Sequence, residues 1–153
     1  MNEEARKLNF TNEGGVCGTT RFLKNIMGMW LLQGCRKQWQ AEGRPYEYAD
    51  LMQLGSTKPS LASLIDPDDE SFLHPRNMLD AIRAFCKNTG QPPPGEPAEF
   101  VQCILESLAL KYRYVLDSLT RLTGTSYDEI RVVGGGARNS RINLQPMLVL
   151  AAF

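Results

Sequence analysis

Apolar residues recur three and four positions apart through three stretches of this chain, and each stretch predicts a helix. The longest opens at Pro97, a residue suited to a first helical turn. It strings Val101, Ile104, Leu105, Leu108, Tyr112, Val115, Leu119 and Leu122 along one stripe before Gly124 marks its exit. A second starts at Pro75, turns Met78, Leu79, Ile82, Ala84 and Phe85 inward, and ends with Gly90 as a left-handed cap. The third follows a cap at Thr19 or Thr20 and aligns Leu23, Ile26, Met27, Trp30, Leu31 and Gly34. Its opposite side (Asn25, Gly28, Met29, Leu32, Gln33) is also mostly apolar, which predicts cover on both sides. Gly28 costs about 1 kcal/mol of helix propensity against alanine, so close approach of something to the backbone is expected there.

Shorter elements fill the gaps. Residues 8–12 read as a strand running into a Gly14-Gly15 turn, and residues 40–45 as a polar break from which Pro45 opens a short helix to about Leu54. Residues 55–60 read as a loop, 61–66 as a short apolar stretch, 67–70 as a turn, and 91–97 as a stiff proline-rich connector. Residues 129–133 form a β-rich run that stops at three glycines. The order of elements predicts one helix-rich α/β or α+β domain with buried strands.

Composition narrows the function classes. Seventeen basic and seventeen acidic residues among 153 leave no net charge, and no basic face to recommend nucleic acid or an anionic membrane. No apolar run approaches the roughly 20 residues of a membrane span, and the acidic start lacks the order of a signal peptide, so cytoplasm is the expected location. Cys17, Cys35, Cys86 and Cys103 include no C-x-x-C pair, and His74 is the sole histidine. Zinc and a disulfide scaffold are both disfavoured. Cys35 is expected to be a small apolar filler. Cys86 and Cys103 are expected to lie close together as free thiols, if their helices pack antiparallel.

Two candidate sites carry chemistry. Gly134, Gly135 and Gly136, followed by Asn139, form a strand-to-turn segment where missing side chains would let a ligand touch the backbone. It is neither a Rossmann fingerprint nor a Walker loop, and a tight structural turn and a nucleotide contact both remain open. Asn25 and Gln33 are eight residues apart. On one helix that separation puts their amides on roughly the same side, about 12 Å apart. On the residues alone, buried amides that satisfy loops are the readier reading, and ligand contacts the alternative.

The segments NFTNEGG (residues 9–15), LKNIMGMWLLQ (23–33), CILESLALKY (103–112) and GGGARN (134–139) together resemble the rhamnulokinases of the FGGY carbohydrate kinase family. The likeness is to the second of their two domains and covers about residues 7–140; residues 141–153 read as a divergent or truncated tail. The resemblance implies an incomplete actin-like, ribonuclease H-like α/β domain of a sugar kinase. It implies ATP and Mg²⁺, and L-rhamnulose phosphorylated at its 1-hydroxyl. By the same likeness Asn25 is a substrate-binding residue, Gln33 an ATP-binding residue, and Gly135, flanked by Gly134 and Gly136, an ATP contact, with Asn139 a lesser one. It gives Glu13 no role as a base; loop hydrogen bonding is expected there, and a surface or capping role for His74. The catalytic base and first phosphate loop, and most of the hold on Mg²⁺, fall in parts of the family fold outside these residues. No catalytic residue and no metal ligand is therefore expected in this chain, and the isolated chain is expected to be inactive. The alternative is a non-catalytic interaction module that keeps the kinase-like fold.

Overall fold

The computed structural model describes residues 3–55 and 61–127. A short helix α1 (Glu3–Lys7) precedes an antiparallel hairpin, β1 (Thr11–Gly14) and β2 (Thr20–Leu23). Helices α2 (Trp30–Ala41), α3 (Tyr48–Leu54), α4 (Met78–Asn88) and α5 (Pro97–Thr123) follow. Helix α2 packs on α4 and α5, and α3 packs on α5.

Each of the later helices is closed at its start by local side-chain chemistry. The Asn77 carboxamide accepts from the Leu79 and Asp80 N–H groups and so sets the start of α4 three residues after Pro75. Glu47 with Asp50, and Glu96 with Glu99, form reciprocal capping boxes for α3 and α5. Helix α3 accordingly begins at Tyr48 rather than at Pro45. The expected exits hold: Gly90 and Gly124 have φ of 71° and 67°, a left-handed conformation that favours glycine.

The core is a single cluster whose largest members are Trp39, Phe72 and Phe100, all inaccessible or nearly so. Trp39 meets Tyr46 and Phe100 edge-on, with ring centroids 5.4 and 6.0 Å apart. A β-carbon on Gly34 would come within 3.0–3.1 Å of three Met78 side-chain carbons, so glycine there permits the α2–α4 approach. Within α4, Cys86 is buried and Ala84 is exposed, reversing the expected inward position of Ala84.

Two expectations fail outright. The helix expected from Thr19 or Thr20 does not exist as one element: residues 20–23 are strand, 24–29 are an irregular loop, and the helix starts only at Trp30. Thr19 instead closes the hairpin turn, its hydroxyl donating to the Val16 carbonyl. The false helix arose because a four-residue strand is too short to show alternation. Ile26 and Met29, which anchor the loop to the core, happen to sit three apart. The first strand, expected over residues 8–12, is shifted to Thr11–Gly14.

Nor are the described strands buried. Every β1 position is exposed, and among the described residues β1 and β2 form the whole sheet. The expected strand at residues 129–133, the loop residues 56–60 and the tail lie outside the described residues.

Candidate functional site

Helix α5 does more than present one stripe. Residues 103–109 are buried without interruption, Glu106 and Ser107 included. An irregular segment, residues 61–68, lies over this stretch without a partner strand. Its backbone is satisfied by side chains instead. Leu61 N–H donates to the Glu106 carboxylate, and Ile65 N–H to the Ser107 hydroxyl at 2.9 Å. The Gln91 carboxamide exchanges two bonds with Leu64, accepting its N–H at 2.7 Å and donating to its carbonyl at 2.8 Å, as a neighbouring strand would.

The far end of that segment carries a charge cluster. Lys111 of α5 donates to Asp66 at 2.7 Å and approaches Asp68 at 2.9 Å. Burial works against the Lys111 charge, but the bonds to Asp66 and Asp68 outweigh it and hold its pKa above the usual lysine value. Burial likewise opposes the Asp66 charge. Lys111 and the Asp68 N–H more than compensate and keep that carboxyl below the ordinary range.

Asp68 then reaches across to residues 24–29. One carboxylate oxygen accepts the Met27 N–H at 2.9 Å, and the other, shared with Lys111, stands 4.0 Å from the Lys24 ammonium. The Lys24 side chain is only 8% exposed and donates to the Leu8 carbonyl at 2.9 Å. Beside this cluster is a cleft of about 650 Å³ bordered by Lys7, Asn9, Lys24, Asp66, Lys111 and Tyr114. Lys24 and Lys111 are already engaged by aspartates and carbonyls, so the cleft offers little surplus positive charge to an anion.

Asn25 lies in the anchored loop and is exposed, as is Gln33 in the first turn of α2. They do not share a helix, so the two-turn spacing argued from sequence does not apply. Neither is a buried amide, which removes that alternative for both. Gly28 lies between them in sequence with an ordinary φ, and a β-carbon on it would meet only the Ile26 carbonyl oxygen, 4.0 Å away. Nothing within the described chain requires glycine there. Gly134, Gly135, Gly136 and Asn139 lie outside the described residues.

The remaining polar candidates have structural duties. Glu13 accepts from Arg21 across the hairpin at 2.9 Å. His74 is exposed in the bend before α4. Cys86 and Cys103 are both buried free thiols that interact with each other, the proximity expected of them. Among the described residues no three His, Cys, Asp or Glu side chains converge to hold a cation, and no helix is long and apolar enough to cross a membrane.

Sequence reasoning missed Asp68, Gln91, Glu106 and Lys111. The available signal was a polar Glu106-Ser107 pair inside an apolar helix, close to the acidic turn only in space.

Residues 1–144 match the C-terminal domain of the FGGY family of carbohydrate kinases, and the chain belongs to that family. Among curated relatives it is 47% identical over 140 residues to a rhamnulokinase of Bacteroides thetaiotaomicron, covering 92% of this chain and 28% of the relative. It is 42% identical over 140 residues to one of Pectobacterium carotovorum subsp. carotovorum, with 92% and 27% covered. With one of Enterococcus faecalis it shares 41% over 145 residues, covering 94% and 29%. The chain thus spans under a third of the length of these relatives.

Proposed function

We propose that this chain is the second-domain part of an ATP-dependent sugar kinase that phosphorylates L-rhamnulose at its 1-hydroxyl. The observation that carries this reading is the 47% identity to a rhamnulokinase across 92% of the chain. In this reading Asn25 orients the sugar through its carboxamide. Gln33 and the glycine run of Gly134, Gly135 and Gly136, with Gly135 foremost, contact the nucleotide, and Asn139 is a lesser contact. The exposure of Asn25 and Gln33 is consistent with those roles, since a ligand contact must be reachable.

Phosphoryl transfer depends on holding acceptor and phosphates in line and on stabilising charge on the transferred group. The contribution of this chain is the first of these. The carboxylate that takes the proton from the hydroxyl and the first phosphate loop belong to the other part of the kinase. The described residues supply no convergent donor set for Mg²⁺, which in this reading enters on the nucleotide phosphates and the other domain. The cytoplasm, where ATP is abundant, is the matching compartment.

The test joins these residues to the preceding part of the Bacteroides rhamnulokinase, in place of the matched 28%. The joined enzyme is expected to turn over L-rhamnulose with ATP, and the isolated chain to show no measurable turnover. Gln33→Ala should weaken ATP binding by roughly 0.5–1.5 kcal/mol, one hydrogen bond's worth. Gly135→Val should weaken it more by obstructing the backbone. A folded, inactive joined enzyme would favour the alternative, an interaction module with a kinase-like fold. Unchanged ATP affinity in both variants would remove the nucleotide assignments.

A further inference from the structure

We propose that Asp68, clamped by Lys111, is the positioning residue for the loop that presents Asn25. This rests on the sugar-binding reading of Asn25 but adds residues that reading does not contain. The loop of residues 24–29 has no regular hydrogen bonding of its own. Apart from Ile26 and Met29 against the core, its polar anchors are the Lys24 ammonium on the Leu8 carbonyl and the Met27 N–H on Asp68. These flank Asn25 on both sides, so they set where its backbone runs.

Asp68 can serve as a fixed post because it is itself restrained. Lys111 holds one of its oxygens at 2.9 Å from a long helix, and Pro67 just before it is buried. The segment leading to it is pinned by Glu106, Ser107 and Gln91. The rigidity of α5 is therefore passed through residues 61–68 to a loop on which Asn25 is exposed. Preorganisation of this kind matters for a transfer reaction, since a misplacement of about 1 Å can cost roughly 100-fold in rate.

The first test uses the 153-residue chain and amide hydrogen exchange. Asp68→Ala and Lys111→Met are expected to speed exchange at Met27 by roughly tenfold, as expected for losing about one hydrogen bond's free energy. Amides in α2, α4 and the first half of α5 should keep their protection. Asp68→Asn, which keeps an acceptor for Met27, should restore part of it. Unaltered exchange at Met27 in both disruptive variants overturns the proposal, and so does a loss of protection spread evenly over the core.

In the joined kinase the same variants should raise the KM for the sugar by roughly tenfold, with little change in the KM for ATP. Equal changes in both constants would mean general damage and overturn the positioning role. Asn25→Ala separates this proposal from the reading beneath it. If Asn25→Ala raises the sugar KM and Asp68→Ala does not, the positioning role alone fails. If Asn25→Ala has no effect, the sugar-site assignment itself is wrong.

Discussion

The helical core and the hairpin with its following loop are held together by different means. In the core, α2, α3, α4 and α5 bury continuous apolar surface around Trp39, Phe72 and Phe100, and each later helix is capped locally. Residues 11–29 bury far less. Their anchors are a stacked Phe10–Phe22 pair with centroids 4.9 Å apart, the Glu13–Arg21 pair, and the two polar ties of residues 24–29. Apolar burial is non-directional and accumulates over many contacts, whereas a loop held by a few hydrogen bonds depends on each of them. Of the proposed ligand residues, Asn25 lies in the loop, where the backbone can be moved without unfolding the core, and Gln33 lies in the first turn of α2.

Substitutions rank the two regions. The largest effect is expected in the core: Phe100→Ala or Trp39→Ala should cost about 3–5 kcal/mol in denaturant unfolding. Phe22→Ala should cost only about 1–2 kcal/mol, because its ring is half-buried against a single aromatic partner. Equal losses at Phe100 and Phe22 would break the contrast.

Alkaline pH probes the buried thiols of the core, together with Lys111, whose raised pKa adds its own loss of stability as pH climbs past the ordinary lysine value. Burial pushes the Cys35 thiol up to about 12 from its ordinary 9.0, and burial raises Cys103 as well. The unfolded thiols lose protons above about pH 9 while the folded ones keep them, so stability should fall as pH rises from there toward 12. A thermal unfolding series from pH 8 to 11 measures this, and Cys35→Ala should flatten part of the slope. Below pH 9, Cys17 at the exposed hairpin tip should be alkylated readily, with Cys35, Cys86 and Cys103 protected until unfolding.

The smallest effects belong to the loop and hairpin surface. Arg21→Ala removes an exposed pair and should cost about 0.2–1 kcal/mol. Gly28→Ala should alter stability by no more than about 0.5 kcal/mol, because the added carbon meets almost nothing. If glycine is there for a ligand or the other domain to approach, the same change should still lower turnover of the joined kinase. A neutral result in both assays would leave Gly28 without that role.

The capped helices were legible from the chain because their signals are local. Pro97, Gly90 and Gly124 act on their own backbone, and an apolar stripe of two or more turns leaves little ambiguity about the element. The strand Thr20–Leu23 and loop 24–29 were misread as helix for the opposite reason: four strand residues carry too little pattern to outweigh a chance helical spacing. Cys86 and Cys103 were expected close together across the connector between α4 and α5, and the two buried thiols do interact.

The sequence by itself determined the family, through segments such as LKNIMGMWLLQ and CILESLALKY, and it determined where α4 and α5 stop. Only the tertiary structure decided that Glu106 and Ser107 face inward to satisfy the backbone of residues 61–65, and that Asp68 joins Lys111 to the Met27 backbone. Those contacts link residues 41 to 45 positions apart. No periodicity encodes a pairing at that separation, because it depends on how whole elements pack before any of the side chains meet.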